Sequence, residues 1–386
     1  LIFAKKQLKT SFLSLPNPTS LHLIWLSRSY PNPAFLSVQD YLLSNYSEPM
    51  LPKYIRLLTL LFALFCSPLA AQDLQFSQFY ASPLYLNPAF SGSAQGGRVS
   101  LNYRNQWPST DANFVSYAGA FDYHFADVRS SIGAIVKVDE MSGVYKNTDF
   151  SLIYSYLIPI SDKVAIQPAL QGTYVLRTLG YEGLTFGDMF VPGFGFIDPT
   201  AEEFPRGRVN YLDISTGALV FGTDFWFGAS VHHLNKPNES TLGGLAVLPM
   251  KISLHGGYRF NFSAPYEQRE KSLTPNFMYK RQGTFQQLNL GAYATLEPLT
   301  FGLWYRGFPL IQTTEGFPVH DAMVLMAGVK FGDWNFGYSF DWAISELASI
   351  NANSHEISLT YTFGSSDVTC PNPWTKRRRV GVGFRR

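Results

Sequence analysis

Apolar and polar positions alternate with a period of two along most of this chain. Ile357, Leu359, Tyr361 and Phe363 interleave with Ser358, Thr360 and Thr362. Trp334, Phe336, Tyr338 and Phe340 interleave with Asn335, Gly337, Ser339 and Asp341. Leu288, Leu290, Ala292 and Ala294 oppose Gln287, Asn289, Gly291 and Tyr293, and Phe301, Leu303 and Tyr305 oppose Gly302, Trp304 and Arg306. Successive side chains of a strand point to opposite faces, so each run predicts a strand with one apolar and one wet face. About fourteen such segments occur, near 97–104, 113–124, 130–140, 144–157, 163–177, 209–220, 223–233, 248–262, 272–281, 285–296, 299–306, 320–331, 333–343 and 354–363. Each has about the ten residues that a tilted strand needs to cross a bilayer.

The connections alternate too. Ala126–Arg129, Pro159–Asp162, Phe221-Gly222, Glu297-Pro298 and Gly332 are short, with Asn261–Lys271 the exception. The intervening ones are mostly longer: Asn105–Ala112, Thr178–Arg208, Leu234–Val247, Gly307–Val319 and Ala343–Asn353. Short turns on one rim and long loops on the other are expected of an outer-membrane barrel, whose short rim faces the periplasm. An unpaired backbone edge costs several kcal/mol in hydrocarbon, so the first strand is expected to pair with 354–363. The predicted fold is an all-β, closed, transmembrane antiparallel barrel. Trp304, Tyr305, Trp334, Tyr338, Trp342 and Tyr361 are candidates for its interfacial girdles.

Composition sharpens this. Aromatic residues make up 16% and charged residues only 15%, too few charges to solvate a sandwich exterior. No run of about 18 apolar residues predicts a membrane helix. The longest apolar run, Leu57–Phe65, broken by Thr59, follows Lys53 and Arg56 and precedes Ser67-Pro68-Leu69-Ala70-Ala71, the layout of a secretory signal. Met50 is the expected start, 50–71 the signal, and 1–49 a mis-assigned upstream extension. Phe65 stands before Cys66 where lipidation needs a small residue, and Cys66 leaves with the signal, so Cys370 has no internal disulfide partner. The net charge of +2 divides unevenly: residues 1–71 hold six basic and two acidic side chains, and 376–386 hold six basic and no acidic ones. Residues 72–375 therefore stand at −8, which argues against nucleic-acid binding. The remaining boundaries are a periplasmic or lumen segment at 72–96, the barrel at 97–363 and a basic tail at 364–386. The tail is either a solvated end or a site for an acidic partner or anionic headgroups.

Candidate chemistry is sparse. His232 and His233 resemble a metal pair, but alternation on a strand sends adjacent side chains to opposite faces. Neither a P-loop nor Cys-x-x-Cys, His-Glu-x-x-His, Gly-x-Ser-x-Gly or His-x-Ser is present, so no enzyme, cofactor or metal is expected. The long loop carrying Phe186, Asp188 and Phe194 is a candidate partner surface. Arg104, Arg259 and Arg306 are either rim charges or partners for lumen acids such as Asp341 and Glu356.

The stretch Gln72-Asp73-Leu74-Gln75-Phe76-Ser77-Gln78-Phe79, followed by Pro83-Leu84-Tyr85-Leu86-Asn87-Pro88-Ala89-Phe90-Ser91-Gly92, resembles the opening of the PorP/SprF family of type IX secretion. Tyr103-Arg104-Asn105-Gln106-Trp107, the segment Gly228–Pro237, Gly256–Arg259, Gly302–Gly307, Gly337–Asp341 and His355–Leu359 follow in family order. The resemblance runs from about residue 72 to 371. The arginine-rich end beyond Pro371 departs from it, as does Phe79–Ser82. It implies an outer-membrane component that supports secretion of cargo with a C-terminal sorting domain, or surface display of gliding adhesins, with other secretion components at its periplasmic face. General porin or hydrophobic-solute transport is the alternative, and a lipid-active barrel enzyme a third reading. Interleaved Gln75, Ser77, Gln78 and Phe76, Phe79, Tyr80 suit a segment tucked into the lower lumen, with Asn87-Pro88 turning the chain into the first strand. Phe76, Gln78, Tyr85, Asn87, Pro88, Arg104, Trp107 and Arg306 join Phe186, Asp188 and Phe194 as candidate partner-binding residues.

Overall fold

A computed structural model of the chain describes residues 73, 75–110, 113–161, 163–181, 186–191, 195–196, 207–241, 243–264, 269–312, 318–345 and 353–364. The expected signal, upstream extension and basic tail lie outside these residues.

Fourteen strands form the wall. In chain order they are β1 (Gly97–Gln106), β2 (Phe114–Phe125), β3 (Ser130–Met141), β4 (Tyr145–Tyr156), β5 (Val164–Leu179), β6 (Arg208–Phe221) and β7 (Phe225–His232). The second half comprises β8 (Lys251–Tyr258), β9 (Lys271–Gln282), β10 (Phe285–Leu296), β11 (Leu299–Gln312), β12 (Pro318–Phe331), β13 (Trp334–Ala343) and β14 (Ser354–Phe363). Two short pieces, Ile158–Ser161 and Phe260–Asn261, extend the sheet beside β5 and β9. Every neighbouring pair is antiparallel, and β1 pairs with β14 from Gly97↔Phe363 to Gln106↔Ser354. The ring is closed, as the cost of a free edge in lipid requires.

The alternation places each residue. Val99 and Leu101 face out, while Ser100, Asn102 and Arg104 are buried inside; Ile357 faces out, while Glu356, Ser358 and Thr360 face in. The outer face carries the aromatic girdle: Trp334 lies 4.5 Å from Tyr361, and Tyr361 stacks on Phe363 at 5.8 Å. Trp304 departs from that expectation. It sits on the Gly302/Arg306 face and is 1% exposed inside the barrel. The expected loop 307–319 is largely strand, because β11 runs to Gln312 and β12 starts at Pro318. A bulge after Arg306 lets the ladder continue beyond the ten residues that crossing requires. Connections 142–144 and 283–284 are also short, so the longer connections on the loop rim are those after β1, β5, β7 and β13.

The lumen is filled by the chain's own N-terminal segment, nearly all of which is buried from Phe76 to Arg98. It occupies the full height of the lumen rather than its lower part. Asp73 meets His233, Lys251 and Gln282, all at the loop-rim ends of β7–β9. Ser91 meets Ser155 and Gln167 near the turn rim. A one-turn helix (Pro83–Leu86) and a tight turn (Pro88–Phe90) carry the chain between them. Asn87 accepts from the Ala89 amide (2.9 Å) and donates to the Ala218 and Ala229 carbonyls (3.2 and 3.1 Å). Gly217 makes room for it, since a Cβ there would fall 2.0 Å from Asn87 Oδ1. Phe79 packs edge-on to Trp304 (5.0 Å) and Tyr80 to Trp226 (5.5 Å), so the aromatic core of this barrel lies in its lumen. At the exit, Arg98 donates to Asp122 (2.9 Å) and to the Phe90 carbonyl (3.0 Å), and Asp122 also accepts from the Gly92 amide (2.7 Å).

Candidate functional site

Two polar assemblies stand in the upper lumen. The first surrounds Ser77. Arg104 donates to Asp341 (2.8 Å), Glu356 (3.3 Å) and Ser77 Oγ (2.6 Å), while Arg306 donates to Asp341 (2.9 Å) and Ser77 Oγ (2.7 Å). Glu356 accepts from the backbone amides of Ser77 (2.6 Å) and Gln78 (3.2 Å). The Gln78 side chain donates to the Glu356 carbonyl (3.0 Å) and accepts from Ser358 (2.7 Å). Two guanidiniums balance two carboxylates, and β1, β11, β13 and β14 are thereby tied to the lumen segment. Buried charges persist only when paired and hydrogen-bonded in this way. Of the three arginines read as either rim charges or partners of lumen acids, Arg104 and Arg306 are such partners. Arg259 instead lies at the turn rim, donating to the Thr223 carbonyl (3.0 Å) with Glu270 at 3.8 Å, because it follows the last residue of β8.

The second assembly is a cavity of about 70 Å³ at the loop-rim end, between the lumen segment and β3–β8. Asp73 bonds His233 Nε2 (2.8 Å) and Lys251 (2.6 Å) at its edge. Burial alone would raise the Asp73 carboxyl, but Lys251 and then His233 outweigh it and hold it well below its ordinary range. Burial opposes charge on His233, yet Asp73 and Asp213 push it up to about 9, so it is protonated at neutral pH. Lys137 bridges Asp139 (2.8 Å) and Asp149 (2.9 Å), and Arg177 pairs with Glu239.

Here the expectation that adjacent histidines point apart is overturned. His233 follows the last residue of β7 and has φ +61°, which breaks the alternation. Both rings line the cavity, 6.3 Å apart. Among the described residues no set of three or more His, Cys, Asp or Glu could hold a metal ion. One His–Ser contact escaped a search for His-x-Ser because it crosses the β2–β3 turn: His124 Nδ1 lies 2.9 Å from Ser131 Oγ. Both are buried, and a Cβ added at Gly92 would fall 2.0 Å from that hydroxyl.

The candidate residues thus divide. Phe76, Gln78, Arg104 and Arg306 come together around Ser77, and Tyr85 lies edge-on to Phe76 (5.2 Å) and lines the cavity. Asn87 and Pro88 lie lower, against β6 and β7. Trp107 stands at the loop rim with φ +60°, its amide donating to the Asn353 carbonyl (2.9 Å) and its ring 6.0 Å from Phe114. Phe186 and Asp188 belong to a turn beyond β5, with Asp188 exposed; Phe194 lies outside the described residues. Asp73, His233, Lys251 and Asp213 were not singled out in the sequence as one group.

Closed strands, a lipid-facing apolar wall and a polar lumen define an outer-membrane β-barrel, here one with a filled lumen. Residues 69–361 match the family described as "Type IX secretion system membrane protein PorP/SprF", and the chain belongs to that family. No curated protein matches the chain in sequence. Among solved structures it is similar to the Acinetobacter baumannii outer membrane protein Omp33, at 5% identity and TM-score 0.39 over 70% of this chain and 100% of that one. It is also similar to the P. putida toluene transporter TodX, at 10% identity and TM-score 0.41 over 72% and 93%. A Pseudomonas aeruginosa FadL homologue gives 14% identity and TM-score 0.39 over 74% and 94%. At these scores the likeness carries no argument about what the chain does.

Proposed function

We propose that this barrel is a non-conducting, non-enzymatic component of the type IX secretion system that supports secretion or surface display of cargo by binding partner proteins. The cargo class is proteins with a C-terminal sorting domain, gliding adhesins included. Other secretion components are its partners at the periplasmic rim. The observation that carries this reading is the filled lumen. A segment held by two arginines, two carboxylates and an aromatic core occupies the space a porin would leave to solute. Partner contact then falls to the two rims, of which the loop rim carries Trp107, Phe186 and Asp188, while the interior candidates act by seating the segment.

Affinity purification of the tagged barrel from its native membranes tests this. Recovery of type IX components or sorting-domain cargo supports it; recovery of neither overturns it. Planar-bilayer recording tests the alternative, because steady conductance by the purified barrel would favour a general porin or solute transporter.

A further inference from the structure

The lipid face carries a feature that neither the filled lumen nor the secretion role uses. Where β9–β14 reach the loop rim, three outward tyrosines each hold a polar side chain of the next strand. Tyr279 donates to Gln286 Oε1 (3.0 Å), Tyr305 meets His320 Nδ1 (2.5 Å) and Tyr338 meets His355 Nδ1 (2.9 Å). Tyr305 is paired with Leu290 and Tyr338 with Ile357, both exposed on the barrel wall, and Tyr279 shares a strand face with exposed Leu273. The bulge after Arg306 sets His320 opposite Gly307 and so on the face of Tyr305. A hydroxyl assigned as donor to Nδ1 leaves the hydrogen of the neutral ring on Nε2. The Nε2 atoms of Gln286, His320 and His355 are therefore N–H donors, and none has a partner among the described residues.

The row also stands at a defined height. From Gln286, His320 and His355 to Leu296, Phe331 and Phe363, the outward residues at the turn-rim ends of their strands, run about ten, eleven and eight residues. At about 3.3 Å per residue and a tilt near 40°, that is roughly 20–28 Å, close to the apolar band of about 25 Å on such barrels. The donors thus lie at the outer edge of the hydrocarbon, at headgroup level. Arg281 is exposed and paired with Gln286 in the β9–β10 register, which sets a guanidinium beside a carboxamide. Among the described residues, the carboxylates at this end of β9–β14 turn elsewhere: Asp341 and Glu356 are buried in the lumen, and Asp321 lies 3.8 Å from Arg306. On the opposite arc Glu140 is already matched by Lys146 (2.6 Å).

We propose that the β9–β14 arc of the outer wall binds phosphate-bearing headgroups of outer-leaflet glycolipid. Arg281 and Gln286 make the principal contact, and His320 and His355 add donors further along the arc. A guanidinium flanked by N–H donors at headgroup level suits a phosphate, because hydrogen bonds to an ionised acceptor are about twice as strong as neutral ones. Strands β10, β12 and β14 are two apart, so their donors are roughly 10 Å from one another. They therefore serve neighbouring headgroups rather than one. The tyrosines fix the donors in place, which lowers the entropy lost when a headgroup is held. The site rests on the loop rim facing outward and not on the secretion reading, so its failure would leave that reading untouched.

The test uses the full barrel in detergent, titrated with diphosphorylated lipid A and read by native mass spectrometry. Saturable binding is expected, and the same lipid after enzymatic dephosphorylation should bind about fivefold more weakly or worse. Arg281→Gln with Gln286→Leu should weaken binding of lipid A about tenfold, and His320→Phe with His355→Phe several-fold. Arg129→Gln, which removes an exposed guanidinium at the turn rim, should leave it unchanged. The two pairs occupy separate strands, so one remains decisive should the other fail to give a heat-modifiable folded band. Millimolar inorganic phosphate should not compete; competition assigns the site to a free anion and overturns the lipid reading. Absence of saturable binding to the wild-type barrel, equal binding of the dephosphorylated lipid, or wild-type affinity in both paired variants overturns the proposal.

Discussion

Replacing Arg104 with methionine should release the upper part of the lumen segment while leaving the barrel closed. The Arg104 side chain is 2% exposed and serves Asp341, Glu356 and Ser77 together. Methionine fills part of the volume and removes every donor. Asp341 keeps Arg306 at 2.9 Å, but Glu356 keeps only the amides of Ser77 and Gln78 and loses its one cation. Removing one member of a buried ion pair costs roughly 3–5 kcal/mol. The partners that remain place this case near the lower end, at about 3 kcal/mol, or roughly a hundredfold in the equilibrium between seated and released segment. Hydrogen exchange in detergent reads this directly: amides of 75–82 should exchange about a hundredfold faster, while those of β2–β4 stay unchanged. Adding Glu356→Gln to Arg104→Met should recover part of the loss, because it neutralises the stranded carboxylate. The reasoning is refuted if exchange over 75–82 matches wild type in a folded Arg104→Met barrel, or if the double variant is worse than the single by the full cost of a second independent loss.

Three further outcomes follow from the same packing. Gly217→Ala should lower the thermal unfolding midpoint of the detergent-solubilised barrel by the equivalent of about 1–3 kcal/mol, because its Cβ would collide with Asn87; Gly172→Ala, with nothing within 4 Å, should be neutral. Trp304→Ala should cost roughly 3–5 kcal/mol in equilibrium unfolding, since it empties part of the lumen core, whereas Trp334→Ala on the lipid face, 42% exposed, should cost much less. His233 binds its proton more tightly when folded, so its contribution is complete below the ordinary value of 6.5 and fades as pH rises through about 9. Asp73 has the opposite sign: its contribution is present above 3.8 and fades only as pH falls well below that. The N-terminal end should therefore stay protected from exchange, after correction for intrinsic rates, between about pH 4 and 8 and loosen above 9, an alkaline step that His233→Gln should abolish.

Much of this molecule was legible residue by residue. Period-two alternation reports a local property, the direction of each Cβ, so about fourteen strands, and the two faces of regular ones such as 354–363 and 333–343, could be read from neighbours in the chain. Closure of β1 on β14 followed from the cost of an open edge in lipid, which needs no coordinates. The same alternation placed Trp304 on the Arg306 face, and only its assignment to the girdle went against it. At His233 alternation failed, because one residue with positive φ past the end of β7 turned a side chain inward. Nothing in the spacing of the histidines records that.

The interior was decided by tertiary structure. Arg104 meets Asp341 and Glu356 across 237 and 252 residues of chain, and Ser77 reaches Glu356 across 279. Such meetings depend on the register accumulated around fourteen strands and on the path of a segment with only two single helical turns, and neither has a periodic signal. A lumen-facing residue also looks the same in sequence whether it borders water or packs against the chain's own N-terminal end. The sequence alone therefore determined a barrel and which side chains face its axis. The polar–aromatic interleaving of Gln75–Tyr80 pointed to a segment in the lower lumen; only the folded chain decided that it spans the full height, and which side chains hold it there.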